Sequence, residues 1–275
     1  MLNKAYVEIT NQCNLSCAFC PKTRRPPRRM SAAEFAVVAE ALQGHVRFLY
    51  LHLMGEPLSH PELGEILNIA GQKGFRVCIT TNGTLLEQRS AVLTAHAAVL
   101  HKLSVSLHAL EGSGVGLSMD AYLKSVWSVC SLLREQGVHC ALRLWNEGGA
   151  AERNGEKTGV DPEMLPRTRS RSRVLGKDLF LEQEQVFAWP DKKAAETGAQ
   201  FCFGLRDQLG VLSDGTVVPC CLDHEGDVPL GNLFETPLTE ILASPRARAL
   251  YDGFSRRAPV EELCRRCGFA TRFNR

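Results

Sequence analysis

The chain has 275 residues, 44% hydrophobic and 23% charged, which excludes a disordered or fibrous protein. Its 32 basic and 30 acidic residues leave a net charge of +2, so nothing electrostatic points to nucleic acid as a partner. No apolar run approaches the ~18 residues of a membrane span, so no membrane partner is expected. At roughly 150 residues per domain the length suits about 1.8 domains, a large one with a small companion. The first residues carry Lys4 and Glu8 within their apolar stretch and do not read as a signal peptide, so a cytoplasmic protein is expected.

In chain order, Lys4–Thr10 reads as a strand rich in β-branched and aromatic residues. A polar, proline-broken loop follows, and Ser31 with Glu34 forms a capping box that opens a helix over Phe35–Leu42. Arg47–Leu53 is a second strand. Pro61–Lys73 is a helix with Leu63, Ile66, Leu67 and Ala70 on one face. Phe75–Thr80 is a third strand, closed by Asn82-Gly83. Glu87–Val99 (helix), Lys102–Leu107 (strand), Met119–Gln136 (helix) and Val138–Trp145 (strand) continue the alternation, and Lys177–Leu181 is a candidate sixth strand. Repeated βα units with short loops predict a parallel sheet. The fold class expected is α/β, a partial (β/α)6 TIM-like barrel with a small C-terminal α+β domain. Residues 1–199 form the barrel, 146–176 an irregular insertion within it, and 200–275 the C-terminal block. The insertion holds a basic run, Arg167–Arg173, that reads as a solvated surface segment or a clamp on an anionic substrate. In the C-terminal block, Val211–Val218 reads as a hairpin about an Asp-Gly turn, and Thr236–Leu250 as one helix.

Eleven cysteines, an odd number without an export signal, favour metal or redox use over a disulfide framework. Cys78, Cys130 and Cys140 stand singly in apolar stretches and read as core residues. The other eight fall into two groups. Cys13, Cys17 and Cys20 form C-x3-C-x2-C directly after the first strand, where a βα loop places sites in parallel folds. Thiolates suit iron–sulfur clusters or zinc. Three thiolates on a four-iron cluster leave one iron open to chelate a small molecule. The competing reading is a zinc knuckle completed from afar by His45 or His52. The second group is Cys202, Cys220, Cys264 and Cys267, the last two in a C-x2-C pair. Cys221 adjoins Cys220 and competes with it as a ligand.

The first group, with Phe19 inside it, resembles the radical S-adenosylmethionine (SAM) superfamily. Leu53-Met54-Gly55-Glu56-Pro57 is similar to that family's glycine–glutamate motif, with Met54 in place of the usual first glycine. The resemblance implies a SAM-binding 4Fe–4S cluster on Cys13, Cys17 and Cys20, with Phe19, Gly55, Glu56, Ser104, Ser106 and Arg143 about the cofactor. Ser104, Ser106 and Arg143 also fit ordinary hydrogen bonding at a barrel mouth. The C-terminal group resembles the auxiliary-cluster modules called SPASM and Twitch. With only eight residues after Cys267, the shorter single-cluster Twitch form is expected, with a second 4Fe–4S cluster on Cys202, Cys220, Cys264 and Cys267. The spacing from Gly215 favours Cys220 over Cys221.

The resemblance implies reductive cleavage of SAM to a 5′-deoxyadenosyl radical and hydrogen abstraction from a substrate. A two-electron oxidation of a small molecule is expected first. Maturation of a ribosomally made peptide is the alternative, for which the position of Cys13 leaves no room for an N-terminal leader-binding domain. An electron donor such as flavodoxin or ferredoxin is the expected protein partner. A non-catalytic metal-binding regulator would explain both cysteine groups but not Gly55-Glu56 or the serines of the fourth strand.

Overall fold

The computed structural model describes residues 2–109, 117–147, 165–166, 168 and 172–274. Most of the expected 146–176 insertion, with Arg167, Arg169 and Arg171 of the basic run, lies outside the described residues. Its last residue, Arg173, is buried at the start of a strand and donates from Nε to Gln183 Oε1 at 3.1 Å.

Parallel strands β1 (Lys4–Val7), β2 (Phe48–Tyr50), β3 (Arg76–Thr81), β4 (Leu100–Ser106), β5 (His139–Glu147) and β7 (Leu179–Gln185) form the partial barrel. Antiparallel β6 (Arg173–Gly176) edges it beside β7. Helices α1 (Ala32–Leu42), α2 (Leu63–Gln72), α3 (Leu86–Ala95) and α4 (Met119–Glu135) fill the crossovers between β1 and β5. The α1 capping box is present: Ser31 accepts from the Glu34 amide and Glu34 from the Ser31 amide.

Strand alternation separates two environments. Ala5, Val7 and Ile9 enter the main core with Phe35 and Leu42, where each fully buried large side chain contributes about 1.5–3 kcal/mol over its exposed state. Tyr6 points to the opposite face and packs on Tyr50 and His52, with ring centroids 4.9 and 5.4 Å away. Cys78, Cys130 and Cys140 are all buried, as a core reading requires.

The C-terminal block does more than follow the barrel. Its hairpin, β8 (Gln208–Val211) and β9 (Thr216–Val218), is present, and β8 pairs in parallel with β1, from Lys4↔Gln208 to Val7↔Val211. With β10 (Gly231–Asn232) the result is one ten-stranded sheet in the order β10-β9-β8-β1-β2-β3-β4-β5-β7-β6. The single helix expected over Thr236–Leu250 is two, α5 (Leu238–Ala243) and α6 (Pro245–Ser255). Pro245 cannot donate to α5, and Ser244 caps α6 by accepting from the Ala247 amide. A short helix, α7 (Glu262–Arg265), carries Cys264.

Candidate functional site

The loop leaving β1 carries Cys13, Cys17 and Cys20 to the C-terminal ends of the parallel strands. Cys13 is exposed, Cys17 buried and Cys20 half-buried. Burial, with the Cys13 and Cys20 sulfurs nearby, pushes the Cys17 thiol up to about 11, and it donates to the Ala109 carbonyl at 3.4 Å. Cys13 Sγ accepts from the Leu15 amide at 3.4 Å and from Asn82 Nδ2 at 3.8 Å. Asn82 also donates to Asn14 Oδ1 at 2.9 Å, so the end of β3 braces the cysteine loop. Half-exposed Phe19 packs on His108, centroids 4.8 Å apart, and His108 Nδ1 lies 3.2 Å from the Arg143 carbonyl.

The segment after β2 closes on this loop. The Glu56 amide donates to the Gln12 carbonyl at 2.9 Å. Gly55 has φ +75°, and a Cβ there would stand 2.3 Å from the Thr10 carbonyl oxygen. Only glycine lets the two backbones meet so closely. The fully buried Glu56 carboxylate accepts from the Asn82 amide at 2.7 Å and the Leu58 amide at 3.0 Å, yet burial dominates and pushes its pKa up to about 7. Three strand ends are thereby pinned around Cys13.

Ser104 and Ser106 lie on β4, in register with Thr80 of β3 and Arg143 of β5 respectively. Arg143 reaches back to Thr80 Oγ1 at 3.4 Å. Its guanidinium faces Glu182, Tyr6 and Cys221 within the barrel, and burial lowers its pKa. His52 stands beside it, held neutral by burial with its pKa down to about 3.

A second site forms where the C-terminal block meets β1. Cys202, Cys220, Cys221, Cys264 and Cys267 line one cavity of about 480 Å³, together with Tyr6 and Lys4 of β1. Burial raises the Cys220 thiol most, and the nearby sulfurs of Cys202, Cys221, Cys264 and Cys267 raise it further. Cys221 instead shares a hydrogen bond with the Tyr6 phenol on the barrel side. Neither histidine weighed for a zinc knuckle joins a cysteine group: His45 follows the C-terminal end of α1, where its backbone amide donates to the Leu42 carbonyl, and His52 is packed between Tyr6 and Tyr50. Among the described residues no three His, Cys, Asp or Glu side chains converge on one metal ion. The all-thiol donor sets suit a multi-iron cluster, which spaces its sulfurs more widely than a single tetrahedral ion.

Sequence reasoning passed over Asn82 as a brace, His108 under Phe19, and the Tyr6–Cys221 contact. All three are pairings between distant segments, which a single sequence does not display. Glu8 and Arg25, described below, left one trace: a carboxylate in the middle of an apolar strand.

Known proteins share this architecture. Over 97% of this chain and 65% of its own length, the antilisterial bacteriocin subtilosin biosynthesis protein AlbA of Bacillus subtilis (strain 168) is 22% identical. Other curated relatives are spanned over about a quarter to a half of their length. The crystal structure of BtrN in complex with AdoMet and 2-DOIA superposes with a TM-score of 0.62 at 18% identity, covering 97% of this chain and 93% of BtrN. That of Streptococcus suis SuiB bound to precursor peptide SuiA superposes at 0.61 and 14% identity, covering 98% and 70%. The iron–sulfur cluster-binding SPASM domain matches residues 202–268, which hold all five cysteines of the second cavity. The radical SAM family matches residues 7–145, half the chain and every strand end pinned around Cys13, and the chain belongs to the radical SAM superfamily.

Proposed function

We propose that this chain binds a 4Fe–4S cluster on Cys13, Cys17 and Cys20, and an auxiliary 4Fe–4S cluster on Cys202, Cys220, Cys264 and Cys267. On this reading it catalyses a SAM-dependent two-electron oxidation. The first cluster, when bound, supplies the electron that cleaves SAM to methionine and a 5′-deoxyadenosyl radical, which removes hydrogen from substrate. The observation that carries this reading is the junction of Gly55 and Glu56 with residues 10–12, which sets a glycine-lined backbone edge against the three-cysteine loop. That edge is where the SAM amino group would be held. Phe19 would flank the adenine, and Ser104, Ser106 and Arg143 would stand near the SAM ribose and carboxylate.

The polar lumen suits a small hydroxylated or aminated molecule. Tyr6, His52, Thr80 and Arg143 present donors and acceptors there, and Lys102 is paired with Glu182. The end-to-end match with BtrN supports this class. Peptide maturation is the second reading, favoured by the AlbA match along 97% of the chain and by the likeness to SuiB, solved with its precursor peptide. An external one-electron donor, such as flavodoxin or ferredoxin, completes either scheme. We further read residues 1–199 and 200–275 as the two functional units, joined through β1 and β8.

The test is anaerobic reconstitution and reduction, followed by release of 5′-deoxyadenosine from SAM. The wild type should release it and the Cys13→Ala/Cys17→Ala/Cys20→Ala variant should not. Release by the triple variant would sink the assignment. A short precursor-peptide gene beside this one would favour the second reading.

A further inference from the structure

The loop that follows the three cysteines, Pro21–Arg29, is anchored on both functional units. Arg25 lies five residues after Cys20 and sends its guanidinium to Glu8 of the β1 extension, with Nη2 2.9 and 2.7 Å from the two carboxylate oxygens. Its Nε donates to the His224 carbonyl at 2.8 Å, four residues after Cys220. Glu8 is completely buried, and its Oε1 also accepts from Ser213 through the amide (3.2 Å) and the hydroxyl (3.0 Å). One carboxylate thus holds the cysteine loop and the C-terminal hairpin together. The neighbours repeat the pattern. The Arg24 amide donates to Glu225 at 3.0 Å, and Arg28 Nε to the Ser213 carbonyl at 2.8 Å. Asn11 ties the loop back to β1, donating to the Pro26 carbonyl and accepting from the Arg28 amide, both at 2.8 Å.

A buried carboxylate is tolerated only when paired and fully hydrogen-bonded, so the clasp closes only when the loop, β1 and the 213–225 segment are all in place. We propose that Arg25, held on Glu8, is a positioning residue that couples the two cysteine sites. The order of the 220–225 segment, set by the auxiliary group, is transmitted through the clasp to the loop that presents Cys13–Cys20. Occupancy of the C-terminal site then raises the affinity for SAM, and by linkage SAM binding raises the affinity of that site for its auxiliary iron by the same factor. This rests on the reading that both groups hold clusters and that the first binds SAM.

The test is a double-mutant cycle on anaerobically reconstituted full chain, reading SAM affinity by equilibrium dialysis. Cys264→Ala/Cys267→Ala empties the second site. Arg25→Met/Glu8→Gln removes both charges of the clasp together, so that neither is left buried alone. Losing the second site should weaken SAM binding about 10-fold when the clasp is intact, inside the roughly 5–150-fold range of coupled sites, and less than about 2-fold when it is broken. Equal losses in both backgrounds, or none in either, would overturn the proposal. Should the clasp variant fail to fold, the wild type answers alone. SAM should raise the chelator concentration that removes half of the auxiliary iron at equilibrium, read by the electron paramagnetic resonance signal of that cluster. A wild type that binds SAM and holds both clusters without this protection refutes the clasp only. One that binds no SAM refutes the cluster reading and the clasp with it.

Discussion

Gly55→Ala probes the contact that assembles the SAM site. At φ +75° an L-residue costs about 1–2 kcal/mol. The added Cβ would meet the Thr10 carbonyl oxygen at 2.3 Å and the Gln12 carbonyl oxygen at 2.8 Å. Both are backbone atoms with no rotamer to yield, so overpacking adds about 1–3 kcal/mol. Relief to ordinary contact demands that the two loops part by about 1 Å, and a displacement of about 1 Å in a preorganised site costs about 10²-fold in rate. Gly44 supplies the control. Its φ is +78°, but a Cβ there meets nothing within 4 Å. Gly44→Ala should therefore cost only the conformational term, lowering Tm by roughly 2–4 °C per kcal/mol, with SAM cleavage intact. Gly55→Ala should lose about 100-fold in kcat/KM for 5′-deoxyadenosine release, together with SAM affinity. Circular-dichroism melts and anaerobic turnover of the two variants in parallel make the measurement. A folded Gly55→Ala protein that matches the wild type in SAM affinity and cleavage would refute the reasoning.

The Cys220 thiol is near the sulfurs of Cys202, Cys264 and Cys267, and Cys221 shares a hydrogen bond with the Tyr6 phenol. Cys221→Ser should keep the full iron content and Cys220→Ser should lose part of it, and the reverse pattern would exchange the ligand assignment. Cys264→Ala with Cys267→Ala should leave a folded protein that still releases 5′-deoxyadenosine but yields no oxidised product, if the auxiliary cluster takes the substrate's electron. Turnover surviving in that folded variant would exclude an electron-accepting role. Burial raises Glu56 from the ordinary 4.5 to about 7, so the folded state prefers the protonated acid. That stability is fully present below about pH 4.5 and is lost as pH rises through about 7. The apoprotein Tm should then fall between about pH 5 and pH 8, and Glu56→Gln, neutral throughout, should flatten the slope; an unchanged slope would show that Glu56 is not its source.

Local chemistry made much of this protein legible in its sequence. The C-x3-C-x2-C spacing, the capping box at Ser31 and the alternation of βα units depend on neighbours within a few residues, and all are present in the fold. Helix and strand ends moved by a few residues because caps compete locally. At Ser244-Pro245 the competition split one expected helix into two. What only the tertiary structure decided is which distant segments meet. The pairing of β8 with β1 sets the auxiliary cysteines against Tyr6, and nothing in either strand's composition names its partner. Glu56 was legible as part of a motif, but its binding to the Asn82 amide and its raised pKa arise from burial between two strand ends. Glu8 and Arg25 are 17 residues apart in sequence, and Glu8 and Ser213 are 205 apart. Their carboxylate–guanidinium–hydroxyl contact exists because folding removes water from all three at once. Periodicity and spacing report the covalent neighbourhood of a residue, whereas desolvation and long-range pairing belong to the packed chain.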